Sequence, residues 1–196
     1  MTTDRLARQI AFVAEADKLK TILRRTPLTD NSRQENSAEH SWHLAVAAMA
    51  LLEYAPPGTN LLRVLELVTI HDLVEIDAGD TFAYDATAGL DKAERERAAA
   101  ERIFSLLPPD EGARLRGLWE EFEEAQSPEA RFANALDRLQ ALLQNLGAGG
   151  GSWVAHQVTR PQVVKRMAPI ETTLPAVWPF VLEVIQNACA SGLIRE

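Results

Sequence analysis

Residues 69–85 read TIHDLVEIDAGDTFAYD. They follow directly on an apolar run, Leu61, Leu62, Val64, Leu65, Leu67, Val68 and Ile70, so the pattern predicts a buried helix ending in His71, four carboxylates (Asp72, Glu75, Asp77 and Asp80) and Gly79. A carboxylate or imidazole in an apolar setting requires a charge partner, a hydrogen bond or a metal. The neighbouring sequence carries too few cations to pair them all, and a metal is the economical explanation. On a helix His71 and Glu75, four residues apart, share a face, and Asp72 lies about 100° round from His71. One ion can therefore take both members of the His71–Asp72 pair while Glu75 stands over it.

Two adjacent residues do not complete a site, because a metal in an enzyme usually has at least three protein ligands and an open position. The remaining histidines are His40, His43 and His156, and Asp137 is a carboxylate on an otherwise apolar helix. Mixed nitrogen and oxygen donors without thiolate suit Mn²⁺, Co²⁺, Fe²⁺, Zn²⁺ or Mg²⁺. Cys189 is the single cysteine, so an intramolecular disulfide and a cysteine-based zinc site are excluded, and a reducing cytoplasm is the expected compartment.

With 196 residues, 46% of them hydrophobic, the chain can fill one core, and one domain over residues 1–196 is expected. The net charge of −8 disfavours a sequence-independent grip on nucleic acid, which depends on clustered Lys and Arg. No apolar run approaches the roughly 20 residues of a membrane span, so no membrane partner and no export are expected.

Along the chain, apolar residues at Leu6, Ile10, Val13, Ala16, Leu19 and Leu23 predict an amphipathic helix from Asp4 to about Arg24, with Thr3 placed to cap it. Residues 24–36, RRTPLTDNSRQEN, read as a loop with cationic teeth at Arg24, Arg25 and Arg33. Asn36 and Glu39 form a capping-box pattern that opens a helix toward Tyr54, putting His40 in its first turn and His43 one turn later. Asn60 caps the next helix, which loosens near Gly79; a loop then runs from Thr81 to Gly89. Helices follow over residues 91–107, with a merely solvated polar face, and 110–126. Ser127 and Pro128 start another over 129–146, with the stripe Phe132, Leu136, Leu139, Leu143 and Leu146 and with Asp137 at the edge of the core. Residues 147–152, GAGGGS, are too glycine-rich for regular structure; Thr159 and Gln162 suggest another capping box, and a last helix runs from about Pro179 to Ala190. Trp119, Trp153 and Trp178 are expected in the core or at a subunit contact. No strand is expected. The fold class is all-α, a compact bundle of about six or seven helices.

The order His40, His71–Asp72, Asp137 resembles the H…HD…D pattern of the HD superfamily of metal-dependent phosphohydrolases. The resemblance extends to RRTPLT (24–29), ENSAEHS (35–41), HDLVEIDAGD (71–80) and ALDRL (135–139), which are similar to successive motifs of the 5′-deoxynucleotidases of that superfamily. It implies one divalent metal held by His40, His71, Asp72 and Asp137, Glu75 as catalytic acid or base, Asp80 orienting water or substrate at the site edge, and Arg25 on the phosphate. Those relatives carry tryptophan where this chain has Thr26, a position at the sugar, so selection for deoxyribose does not carry over. Asp77, Asp85 and the GGGSW segment with His156 resemble a further branch of the group, and a homodimer is implied as well.

The function these readings point to is hydrolysis of nucleoside or deoxynucleoside 5′-monophosphates to nucleoside and phosphate. A phosphodiesterase or triphosphohydrolase of the same superfamily, and a non-enzymatic helical protein stabilised by its metal, are the alternatives. Taken singly, His43 and His156 suit structural roles, Glu39 is accounted for by capping, and Asp137 can be a buried carboxylate paired with Arg138 or another cation.

Overall fold

A computed structural model describes residues 3–85 and 91–196; the end of the loop expected to close at Gly89 lies outside the described residues. Eight helices of ten residues or more carry the fold: α1 (Thr3–Ala16), α2 (Ser37–Ala50), α3 (Leu61–Ile70), α5 (Lys92–Phe104), α6 (Pro109–Glu124), α7 (Pro128–Gly147), α9 (Arg160–Thr173) and α10 (Trp178–Ala190). Two shorter ones, α4 (Glu75–Ala78) and α8 (Gly151–Ala155), accompany them, and tight 3₁₀ turns cover Asp17–Thr21, Leu52–Tyr54 and His71–Val74. The all-α class holds, with slightly more helices than the six or seven expected.

The expected start signals operate as local chemistry dictates. Asn36 Oδ1 accepts from Glu39 N at 2.9 Å while Glu39 Oε2 accepts from Asn36 N at 3.1 Å, a reciprocal capping box for α2. Asn60 Oδ1 accepts from Leu62 N at 3.0 Å at the head of α3. Gln162 Oε1 accepts from Thr159 N at 2.8 Å at the head of α9. Ser127 Oγ accepts from Ala130 N at 3.1 Å and donates to Glu121 Oε1 at 2.6 Å, which ties the start of α7 to α6. Ser127→Ala is expected to cost about 1 kcal/mol, seen as a melting temperature lower by about 2–4 °C for a protein of this size.

Three sequence expectations are corrected. The first helix ends at Ala16, not near Arg24: a 3₁₀ turn follows over Asp17–Thr21, and from Ile22 the chain is extended into β1, which suits the β-branched Thr21, Ile22 and Thr26 and the Thr26–Pro27 pair. Residues 24–36 are a β-ribbon and not a loop: β1 (Leu23–Pro27) pairs antiparallel with β2 (Gln34–Asn36), Leu23 opposite Asn36 and Pro27 opposite Gln34, with an irregular register between. Asn31 takes the left-handed conformation, φ 56°, in the connecting turn. The glycine-rich stretch ends in a helix, since α8 begins at Gly151 with φ 39°. A Cβ on Gly151 would lie 2.9 Å from Pro27 Cγ, so glycine here lets α8 close on β1.

Two buried apolar clusters fill the bundle. The larger gathers Leu44, Val64, Leu67, Phe132, Leu136, Leu142, Met167 and Ile185 around α7. The smaller joins Phe12, Leu19, Leu73, Val74, Ile103 and Trp119. Trp119 and Trp153 are buried as expected, and Trp178 packs against the larger cluster. On α7 the buried stripe turns to Leu142, leaving Leu143 and Leu146 partly exposed. There α7 serves two neighbours, the β-ribbon on one side and α9 on the other. Around residues 69–85 the chain passes from one cluster to the other and back: Val68 belongs to the first, Leu73 and Val74 to the second, and Phe82 and Tyr84 pack against the first again.

Candidate metal centre

The chain brings the expected quartet together from three elements. His40, fully buried, points from the first turns of α2; His71 and Asp72 come from the 3₁₀ turn at the end of α3; Asp137 comes from the middle of α7. His40, His71 and Asp72 offer donor atoms within 4.8 Å of one another. Asp137 Oδ1 lies 3.1 Å from His40 Nε2, beside this trio, while its Oδ2 accepts from Arg166 Nη2 at 3.2 Å.

The donor atoms fit a metal. Val68 O sits 2.9 Å from His71 Nδ1, which fixes the ring with Nε2 facing inward. Both His71 Nε2 and His40 Nε2 are buried without a hydrogen-bond partner, a costly state for an imidazole nitrogen unless it is a ligand. His71 Nε2 lies 2.9 Å from Asp72 Oδ1 without hydrogen-bond alignment, as expected of two donors converging on a common point.

Charges around the trio are compensated by a residue the sequence reading placed in a loop. Arg24, largely buried on β1, donates from Nη1 to Asp72 Oδ2 at 3.0 Å, with Nη2 3.7 Å from Asp137 Oδ1 and Nε 3.5 Å from Glu35 Oε2. Glu35 on β2 is buried too; its Oε1 accepts from Gln140 at 3.0 Å and from Gln144 at 2.7 Å, and its Oε2 lies 3.6 Å from His40 Nδ1. Of the alternative cation partners for Asp137, Arg166 at 3.2 Å and Arg24 at 3.7 Å are the ones that pair with it, while Arg138 Nη1 turns back to Asn134 O at 2.7 Å.

The carboxyl groups are pushed in opposite directions. Burial opposes ionisation of Asp72, yet His71 and Arg24 outweigh it and hold Asp72 below the usual carboxylate range. Asp137 is held well below that range against its burial by His40, Arg166 and Arg24. Glu75 goes the other way, since burial and the neighbouring Asp72 charge raise it to about 8, and Ser37 Oγ donates to its Oε2 at 2.6 Å. Burial also raises Asp80. His71 reaches about 8 against its own burial because Asp72 favours the imidazolium.

The other expected residues line the approach. A cavity of about 110 Å³ is bounded by Arg25, Thr26, His71, Asp72, Glu75 and Asp80. Arg25 is exposed at its mouth, and its backbone N donates to Asp80 Oδ2 at 3.2 Å; Thr26 is buried in its wall. Lys92 and Glu96 of α5, 3.4 Å apart, line the same cavity, so that polar face is not simply solvated. Arg95 of α5 donates to Ala78 O, closing the end of α4. Asp77 turns away to Arg102, and His43 packs against Trp42 away from the centre. His156 and Asp85 belong to a second, outer cleft.

These motifs and this geometry meet known proteins. The HD domain family matches residues 16–178. The human 5′-deoxynucleotidase HDDC2 is 34% identical over 136 residues, which are 69% of this chain and 65% of that protein, less than two thirds of its length. A 5′-deoxynucleotidase of Erwinia tasmaniensis is 29% identical over 153 residues, covering 73% of this chain and 77% of its own. The crystal structure of a predicted metal-dependent phosphohydrolase from Magnetospirillum magnetotacticum superposes with a TM-score of 0.94 at 50% identity, over 98% of this chain and 97% of that one. An HD-domain phosphohydrolase from Listeria innocua shares the fold, with a TM-score of 0.63 at 19% identity. Its match covering most of the chain, the protein belongs to the HD domain family.

Proposed function

We propose that this chain is a divalent-metal-dependent phosphomonoesterase that cleaves nucleoside or deoxynucleoside 5′-monophosphates to nucleoside and inorganic phosphate. The observation that carries the reading is the convergence of buried donors: His40, His71 and Asp72 offer ligand atoms within 4.8 Å of one another, with Asp137 beside them and Glu75 in the wall of the same cavity. The neighbouring acids are pushed apart, Asp72 downward by His71 and Arg24 and Glu75 upward by burial and Asp72, which suits a ligand and a proton donor. The names of the relatives support the substrate class.

In this reading His40, His71, Asp72 and Asp137 hold one divalent ion, Mn²⁺, Co²⁺, Fe²⁺, Zn²⁺ or Mg²⁺. Once bound, such an ion lowers the pKa of water and offsets phosphoryl charge. Glu75 gives its proton to the departing ester oxygen. Asp80 orients the attacking water, Arg25 holds the phosphate, and Thr26 forms the cavity wall nearest the sugar. Glu35 Oε2 stands 3.6 Å from His40 Nδ1, outside hydrogen-bond reach, and 3.5 Å from Arg24 Nε, so it adds negative charge behind the ligand ring without bonding to it.

We further propose one domain over residues 1–196, working in the cytoplasm as a homodimer and using no nucleic-acid or membrane partner. Trp42, Val46 and Met49 recur along one face of α2 and stay exposed with Leu62, which supports a subunit contact there. Among the described residues no helix is long and apolar enough to cross a membrane.

The test of the activity is phosphate release from ribo- and deoxynucleoside 5′-monophosphates after adding Mn²⁺, Co²⁺ or Mg²⁺ to metal-stripped protein. Metal-dependent release is expected. No release from any of them by folded, metal-loaded protein would overturn the reading.

A further inference from the structure

The inner cavity opens into the outer cleft of about 450 Å³, roughly four times its volume. Arg25, Asp80, Thr81, Phe82 and Tyr84 line both spaces, so the two are continuous past the Arg25 side chain. A group esterified to a phosphate at the metal centre can therefore reach past Arg25 into the outer cleft.

That cleft carries a run of rings. The His156 ring lies against Phe82 with centroids 4.3 Å apart and planes at 38°, and Phe82 meets Tyr84 edge-on at 5.4 Å. His156 is exposed, and among the described residues its ring has no hydrogen bond or ion pair. Phe82 and Tyr84 are held from behind, packed against the larger core. Of the polar groups beside the rings, Gln162 Oε1 accepts from Thr159 and Arg95 donates to Ala78 O and Thr81 Oγ1, while Arg25 and Asp80 stand at the passage to the metal centre.

We infer that His156, backed by Phe82, is the stacking platform for the aromatic base of a nucleotide whose phosphate lies at the metal centre. The inference rests on the phosphomonoesterase reading for the position of the phosphate. Stacking on an aromatic side chain strengthens base binding through contact area and the π-face, whichever base is present. His156 is then a specificity-determining residue that favours phosphate esters bearing an aromatic ring over abasic ones.

The experiment compares deoxyadenosine 5′-monophosphate with 2-deoxyribose 5-phosphate, the same ester without its base. For wild type, His156→Ala and His156→Phe, all metal-loaded, phosphate release gives kcat/KM and calorimetry gives Kd for the nucleotide. His156→Ala is expected to lower the nucleotide-to-abasic ratio of kcat/KM about 10-fold through KM, and His156→Phe is expected to restore it. An unchanged ratio, or equal losses on both substrates, would overturn the platform while leaving the esterase reading intact. If the wild type cleaves neither ester, the esterase reading fails and Kd decides the platform. A nucleotide Kd weakened by His156→Ala and recovered by His156→Phe supports it; no nucleotide binding, or a Kd unmoved by His156→Ala, overturns it.

Discussion

Glu75→Gln is expected to lower turnover by about 10²–10⁴-fold while metal content stays at the wild-type level. Glutamine has the size of the protonated acid and its carbonyl can still accept from Ser37 Oγ, so the buried contact at 2.6 Å survives. Only the transferable proton is lost. Comparison of phosphate release with metal analysis and melting of the same preparations separates this from a structural effect. Activity equal to wild type would remove Glu75 from the mechanism. The same variant has a signature in metal-stripped protein. Glu75 titrates at about 8 in the fold against about 4.5 unfolded, so between these values the folded state binds more protons than the unfolded one. Wild-type stability is therefore expected to fall as pH rises from about 4.5 to 8 relative to E75Q, whose side chain does not titrate. Denaturant midpoints at both ends of that window check it.

Asp72→Ala is expected to abolish metal binding and to destabilise the fold by about 3–5 kcal/mol. Most of that comes from what the substitution leaves behind. Arg24 would remain largely buried with its 3.0 Å partner gone and the longer contacts to Asp137 at 3.7 Å and Glu35 at 3.5 Å left. Removing one partner of a buried ion pair costs more than the pair contributes, because the remaining charge is uncompensated. For a chain of this length the melting temperature should fall by about 6–20 °C. Two controls distinguish the causes. Metal-stripped wild type lacks the ion but keeps the pair, and should melt well above metal-stripped D72A. If the two melt together, the destabilisation belongs to metal loss, and Arg24 does not depend on Asp72.

The coming together of His40, His71, Asp72 and Asp137 with Glu75 beside them was legible because the signals are local: a histidine and carboxylates at the end of an apolar helix, and a histidine just inside a capping box. The helices with strong caps, α2, α3 and α7, were legible for the same reason. What stayed hidden depends on partners far apart in sequence. Arg24 and Asp72 are 48 residues apart and Glu35 and Gln140 are 105 apart, and no spacing rule marks an arginine or glutamate that a fold will bury. The β-ribbon was missed because two short strands rich in charge and turn formers carry no apolar alternation. On α7, packing by two neighbours widened the buried face beyond one stripe, so Leu142 went in and Leu143 stayed partly out. Lys92 and Glu96 were read as solvent-facing because a helix rich in Ala, Glu and Arg looks the same whether its polar side meets water or a cavity.

Strand β1 puts Arg24 among the metal-site carboxylates and Arg25 at the cavity mouth, one residue apart. Because strand side chains alternate with a period of two, parity decides which guanidinium balances the interior and which stands at the cavity mouth. Two identical side chains have different duties, and neither composition nor residue identity distinguishes them. Sliding the strand by one residue would turn Arg24 away from Asp72 and Arg25 inward without changing the charge of the chain, whereas sliding it by two would restore the facing but carry both guanidinium groups about 6.6 Å along the strand, out of reach of the 3.0 Å contact with Asp72. Facing and position along β1 therefore have to agree before either arginine meets its partner.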